Sequence, residues 1–137
     1  MIKHLKYNNK KVEYEGIKFD SSRERDRYIF LKEKEREGLI LDLKLQPTFE
    51  LIPNQYKKSQ KVLKTKIKEI EILVERSLSY RADFSYILAK TREYIVEDVK
   101  ISKKLRPVEF RIKKKLMYWF HKIEVREVYK SNEEIKS

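Results

Sequence analysis

Three side chains in the second half of the chain have types and a spacing that could do chemistry: Asp83 in YRADFSY, then Asp98 and Lys100 in YIVEDVKIS. Both stretches have the β-branched and aromatic make-up of buried strands, where an ionised group is costly unless something compensates it. Strands over Tyr80 to Leu88 and Glu93 to Ile101, joined by Ala89 to Arg92, form a hairpin, and a symmetric loop sets Asp83 directly opposite Asp98. Opposed residues of an antiparallel pair have Cβ atoms about 4.5–5.5 Å apart. Because side chains alternate, Arg81, Asp83 and Ser85 share one face with Asp98 and Lys100, while Tyr80, Ala82, Phe84, Tyr86, Val99 and Ile101 share the other. Two facing carboxylates repel unless a cation or a shared proton relieves them. A hard divalent cation would do so, since magnesium takes oxygen ligands, keeps several waters and uses one or two protein carboxylates. The Lys100 ammonium could then orient a metal-bound water and offset charge developing on a phosphate. The competing reading is a cross-strand ion-pair cluster on a wet face. Glu97 falls on the apolar face and needs a buried partner, a Lys or Arg from a flanking helix; a register slip would instead make it a ligand.

The elements that must hold these residues are legible around them. KYNNKKVEYEGIKFDS alternates as a short hairpin or extended arm about Gly16. Ser21 and Glu24 stand at the S-x-x-E spacing of a capping box, helix formers continue to Glu37, and Gly38 supplies a stop. LILDLKLQPTFELIP reads as two strands with a bend at Pro47. The lysine-rich stretch from Asn54 to Lys68 is a loop or a long hairpin arm, either solvated or gripping a polyanion. A strand is expected over Ile67 to Val74, a helix over Arg106 to His121 and a last strand in IEVREVY. On that helix Val108, Ile112, Leu116, Trp119 and Phe120 form an apolar stripe expected in the core, with Trp119 as core rather than a base-stacking platform; Arg111, Lys114, Lys115 and Lys122 gather on the far side with Tyr118. The order points to an α/β (α+β) fold, a mixed β-sheet with a helix on each flank.

Composition narrows the partners. The 137 residues suit one domain, taken as 1–137. No apolar run has the length of a membrane span and no export signal is evident, so a cytosolic protein is expected. There are no cysteines and two histidines, His4 and His121, which excludes disulfides and thiolate sites and leaves metal to oxygen ligands. The 34 basic against 22 acidic side chains give a net charge of +12, which favours polyanions, nucleic acid first.

Asp83 in YRADFSY followed by Asp98-Val99-Lys100 resembles the PD-(D/E)XK nuclease motif, with Ala82 in the place of the loosely kept proline. KYNNKKVEYEGIKFDSSRERDRY, LILDLKLQPTFELIP, RADF, VEDVK and FRIKKKL are together similar in order and spacing to small phage and prophage proteins of that superfamily. The layout also resembles phage endonuclease I and the nuclease subunit of a bacterial transposase. The resemblance implies a restriction-endonuclease-like sheet and hydrolysis of DNA with Mg²⁺ or Mn²⁺. Carried over residue by residue, it makes Glu24, Asp83, Asp98 and the Val99 carbonyl metal ligands, and Lys100 the catalytic lysine beside Glu24, Asp83 and Asp98. Gln46-Pro47 also looks typical, without a chemical role. DNA contact would fall to Arg111, Lys114, Lys115 and Lys122.

The expected activity is therefore an endodeoxyribonuclease acting in phage-related recombination or repair on branched DNA, and a homodimer would suit two-strand cleavage. The rival is a non-catalytic DNA-binding protein on a nuclease scaffold; an RNA-directed nuclease or RNA-binding protein is a third possibility.

Overall fold

The computed structural model describes residues 11–135; residues 6–10 of the predicted N-terminal arm and His4 lie outside them. Strands β1 (Val12–Tyr14) and β2 (Ile17–Phe19) pair antiparallel. Their turn, Glu15-Gly16, has φ of 49° and 79°, the left-handed pair that a tight hairpin needs. Helix α1 (Ser22–Arg36) follows where the capping signal puts it, and the Ser21 Oγ accepts the Glu24 N–H at 3.2 Å. Gly38, at φ 77°, comes just after its end.

Strands β3 (Ile40–Leu45) and β4 (Thr48–Ile52) meet at the Gln46-Pro47 corner. Beyond them β5 (Gln55–Val62) and β6 (Ile67–Glu75) make a two-stranded arm, which decides between loop and hairpin for the lysine-rich stretch. The chain returns through β7 (Leu78–Arg81), β8 (Phe84–Leu88) and β9 (Tyr94–Val99). After a 3-10 turn at Lys103–Leu105 come α2 (Val108–His121) and β10 (Arg126–Val128).

The fold is α+β. Its central sheet runs β10-β9-β8-β3, and it is mixed: β10 lies parallel to β9 because α2 crosses over between them, and the other pairs are antiparallel. Phe84 faces Glu97 and Tyr86 faces Ile95, the register expected from a symmetric loop. Phe84, Tyr86 and Ile95 pack on Tyr28 and Leu31 of α1. Val96, Tyr80 and Ala82 pack with Phe110 and Met117 of α2 on a second cluster.

Two expectations are corrected. The strand expected over Tyr80 to Leu88 breaks at Ala82-Asp83, and β7 pairs with β4 rather than joining the central sheet. The corner at Gln46-Pro47 makes the break affordable: the Gln46 N–H donates to the Asp83 carbonyl at 2.9 Å and the Ala82 N–H to the Pro47 carbonyl at 3.0 Å. The apolar stripe of α2 is also not the core. Val108, Ile112, Phe120 and Trp119 are exposed, Trp119 at 70%, and Leu116 is only partly buried. Phe110 and Met117, seven residues or about two turns apart, form the buried face instead.

Candidate functional site

Glu97 and Asp98 are neighbours on β9, and alternation sends them to opposite faces of the sheet. Glu97 is buried under α1 and has the partner its position demanded. Arg27 grips it bidentately, Nε to Oε1 at 2.8 Å and Nη2 to Oε2 at 2.6 Å, and the Tyr86 hydroxyl donates to Oε2. Arg27 Nη1 donates further to the carbonyls of Ser131, at 3.1 Å, and Glu133. Every strong polar atom of this centre is matched from within the protein, so Glu97 acts as structure and not as a ligand.

Asp98 looks instead into a cavity of about 860 Å³ whose walls include Glu24, Gln46, Tyr80, Asp83 and Lys100. Asp98 is, after burial, the charge that acts most strongly on the Asp83 carboxyl. The Val99 N–H donates to Asp83 Oδ2 at 2.7 Å, and Lys100 Nζ lies 3.1 Å from Asp98 Oδ1. Lys100 also sits 3.8 Å over the Phe110 ring, so one face of its ammonium is held by an aromatic quadrupole. Burial, followed by the charges of Asp98 and Glu24, pushes the Asp83 carboxyl well above the ordinary carboxylate range. Burial, then Asp20 and Asp98, pushes Glu24 up to about 7. Three carboxyls have thus been gathered around the Lys100 ammonium, and the raised pKa values of two of them record the cost of ionising all three together.

The sequence-predicted site residues Glu24, Asp83, Asp98, Val99 and Lys100 all line this cavity. Glu24 keeps its capping position while doing so. Among the described residues, no group of three or more acidic or histidine side chains is close enough to hold a metal ion as it stands. The donor set still suits one: carboxyl groups gathered on one cavity and all-oxygen ligands match what magnesium asks of a protein.

Tyr80 is the residue that the sequence reading placed on the wrong face. Its hydroxyl donates to Asp98 Oδ2, because the break at Ala82-Asp83 turns β7 relative to β8. Burial, with the Asp98 charge, keeps that hydroxyl protonated far above neutral pH, so it orients Asp98 as a permanent donor. Gln46 is the other missed contributor, through its backbone hold on Asp83. Its φ of 51° in front of a proline is the local sign of a built corner.

The basic residues that the sequence assigned to DNA contact, Arg111, Lys114, Lys115 and Lys122, are not at this cavity. Arg111, Lys114 and Lys115 line a separate groove with Val108, Ile112 and Tyr118. Lys114 is committed to Glu127 at 2.7 Å, and Lys122 lies over the rings of Tyr118 and Trp119. The α2 side chains that do line the cavity are Glu109, Phe110 and Lys113. No helix of the described residues is long and apolar enough to cross a membrane.

No curated protein and no solved structure matches the chain. The model of one family does match, over residues 4–134, and on that extent the chain belongs to the family described as Protein of unknown function (DUF1064).

Proposed function

We propose that the protein is a divalent-cation-dependent endonuclease of the PD-(D/E)XK type, hydrolysing phosphodiester bonds of DNA in the cytoplasm. The observation that carries this reading is the convergence of Asp83, Asp98, Lys100 and Glu24 on one cavity, with the charge of Asp98 acting on Asp83 and the lysine 3.1 Å from Asp98. Asp83 and Asp98 would hold Mg²⁺ or Mn²⁺, aided by Glu24 and the Val99 carbonyl; when bound, the cation supplies a Lewis acid for the phosphate and a lowered pKa for its water.

The chain's own residues have separate tasks. Lys100, steadied by the Phe110 ring, presents N–H donors to the attacking water and to the charge that builds on the phosphoryl oxygens. Tyr80 and the Val99 N–H fix the orientation of Asp98 and Asp83, and so the line of attack. Branched DNA, and a pair of chains supplying two sites for its two strands, are the substrate and assembly that suit a recombination or repair role.

A second reading has an observation in its favour: both Asp98 oxygens already have protein partners, as a non-catalytic DNA-binding protein would permit. Incubating the protein with linear, nicked and four-way-junction DNA, with Mg²⁺, Mn²⁺ or chelator, separates the two. The nuclease reading expects cation-dependent cleavage that falls by at least about 10²-fold in Asp98→Ala, while cation-free DNA binding stays equal or tightens. Cleavage of none of the three substrates leaves the binding protein.

A further inference from the structure

The β5–β6 arm has two unlike faces. From Tyr56 to Val62 the ladder is regular, with Lys57 opposite Ile72, Ser59 opposite Ile70 and Lys61 opposite Lys68. Alternation puts those six side chains on one face, which carries three lysines and no carboxylate. Glu69 and Glu71 stand on the other face, Glu71 directly opposite Lys58. Opposed like charges such as Lys61 and Lys68 destabilise a hairpin, and a two-stranded ribbon is marginal in water even without them. Lys57, Lys61 and Lys68 are all exposed, and among the described residues none of them takes part in an ion pair, whereas Lys32, Lys100 and Lys114 do.

The arm is also rooted at the carboxylate cavity. Arg81, on the cavity wall, pairs with Thr48, Leu78 pairs with Ile52, and the same two chain segments continue outward as Glu75 opposite Gln55. Eight residues at about 3.4 Å each reach ~27 Å, about eight base pairs of duplex at 3.4 Å per step. A two-stranded ribbon fits the major groove, about 12 Å wide.

We propose that this arm grips duplex DNA, its Lys57, Lys61 and Lys68 face lying against the phosphates of a duplex that enters the cavity. The inference rests on the nuclease reading for its ligand and adds the surface that holds it. Phosphate contact removes the repulsion between Lys61 and Lys68, so the ribbon is stabilised by the ligand it holds.

The test is a triple variant, Lys57→Gln, Lys61→Gln and Lys68→Gln, in the full chain, with Lys44→Gln, Lys90→Gln and Lys130→Gln as a charge-matched control. Binding of a 20-base-pair duplex is followed by anisotropy over a salt series without divalent cation. The arm variant should lose tenfold or more in affinity near 0.1 M salt, with the slope of log K against log salt shallower by about 2–3, and the control should keep most of both. An arm variant equal to wild type, or a control equally weakened, overturns the proposal while leaving cleavage by wild type intact. If wild type does not bind the duplex, the arm proposal fails, whereas the nuclease reading fails only if nicked and four-way-junction DNA are left uncut as well. An arm that pairs copies of the chain would show instead as an unchanged salt slope, with a mass in sedimentation that falls when residues 54–76 are replaced by a short glycine turn.

Discussion

Two carboxylates adjacent in sequence, Glu97 and Asp98, have opposite circumstances, and the difference separates structure from chemistry. Glu97 meets a guanidinium fork and a phenol, so its charge is cancelled where it stands. Asp98 shares a cavity with two other carboxyls, Asp83 and Glu24, and has one ammonium beside it. Both are buried, and burial alone would have ranked them together. What distinguishes them is whether the surrounding groups sum to neutrality. A centre that does so holds the fold together; one with more carboxyls than cations holds protons that a metal ion could replace.

The largest effect should come from breaking the closed centre. Arg27→Met or Glu97→Leu alone leaves a buried charge unmatched and should cost about 3–5 kcal/mol, read as a lower urea midpoint. The double variant should recover much of that loss, since two apolar side chains strand nothing. A double variant as unstable as the worse single one would mean that the pair is not the unit described here.

The open centre should respond with the opposite sign. Removing a like charge, as in Asp83→Asn, should stabilise the protein by about 1 kcal/mol when no divalent cation is present. If Mg²⁺ binds at this centre, a hundredfold excess over Kd should stabilise wild type by about 2.7 kcal/mol, read as a higher Tm, and the same variant should lose most of that gain. A destabilised Asp83→Asn that still gains from Mg²⁺ would make the aspartates a structural pair like Arg27 and Glu97.

Glu35 marks the small end of the scale. The hydrogen bond from Lys32 outweighs burial and, with the Leu43 N–H, holds its carboxyl below the ordinary value. A carboxyl whose pKa is lowered on folding adds stability above its unfolded pKa and loses it as pH falls through the folded one. Glu35→Gln should therefore cost about 0.5 kcal/mol near neutrality, and the gap from wild type should close in acid. The register of β3 against β8 shifts between Leu41 and Lys44, and a gap that persists below pH 3 would trace to the Leu43 N–H there instead of to charge.

Local signals were legible where one segment determines its own shape. The Ser21 cap, the Gly38 stop and the β8–β9 register each depend on a few contiguous residues, and each stands as expected. The need of Glu97 for a buried partner was legible too, because an ionised group on the apolar face must be matched, and of the two outcomes open to it the helix-borne Arg27 is the one found. Tyr80 was missed because the kink beside it is held by Gln46 and Pro47, far away in the chain, and period-two alternation says nothing about a remote corner. The orientation of α2 was missed because that helix has two apolar faces. Val108, Ile112 and Trp119 outweigh Phe110 and Met117 in number, and only tertiary packing selects the smaller set.

Arg27 reaches from α1 to the carbonyls of Ser131 and Glu133, more than a hundred positions later in the chain. The last bonds of this guanidinium can therefore close only once residues 131–133 are in place, and a chain cut before residue 131 leaves Nη1 of a buried cation without those acceptors, so it should be less stable than the full chain.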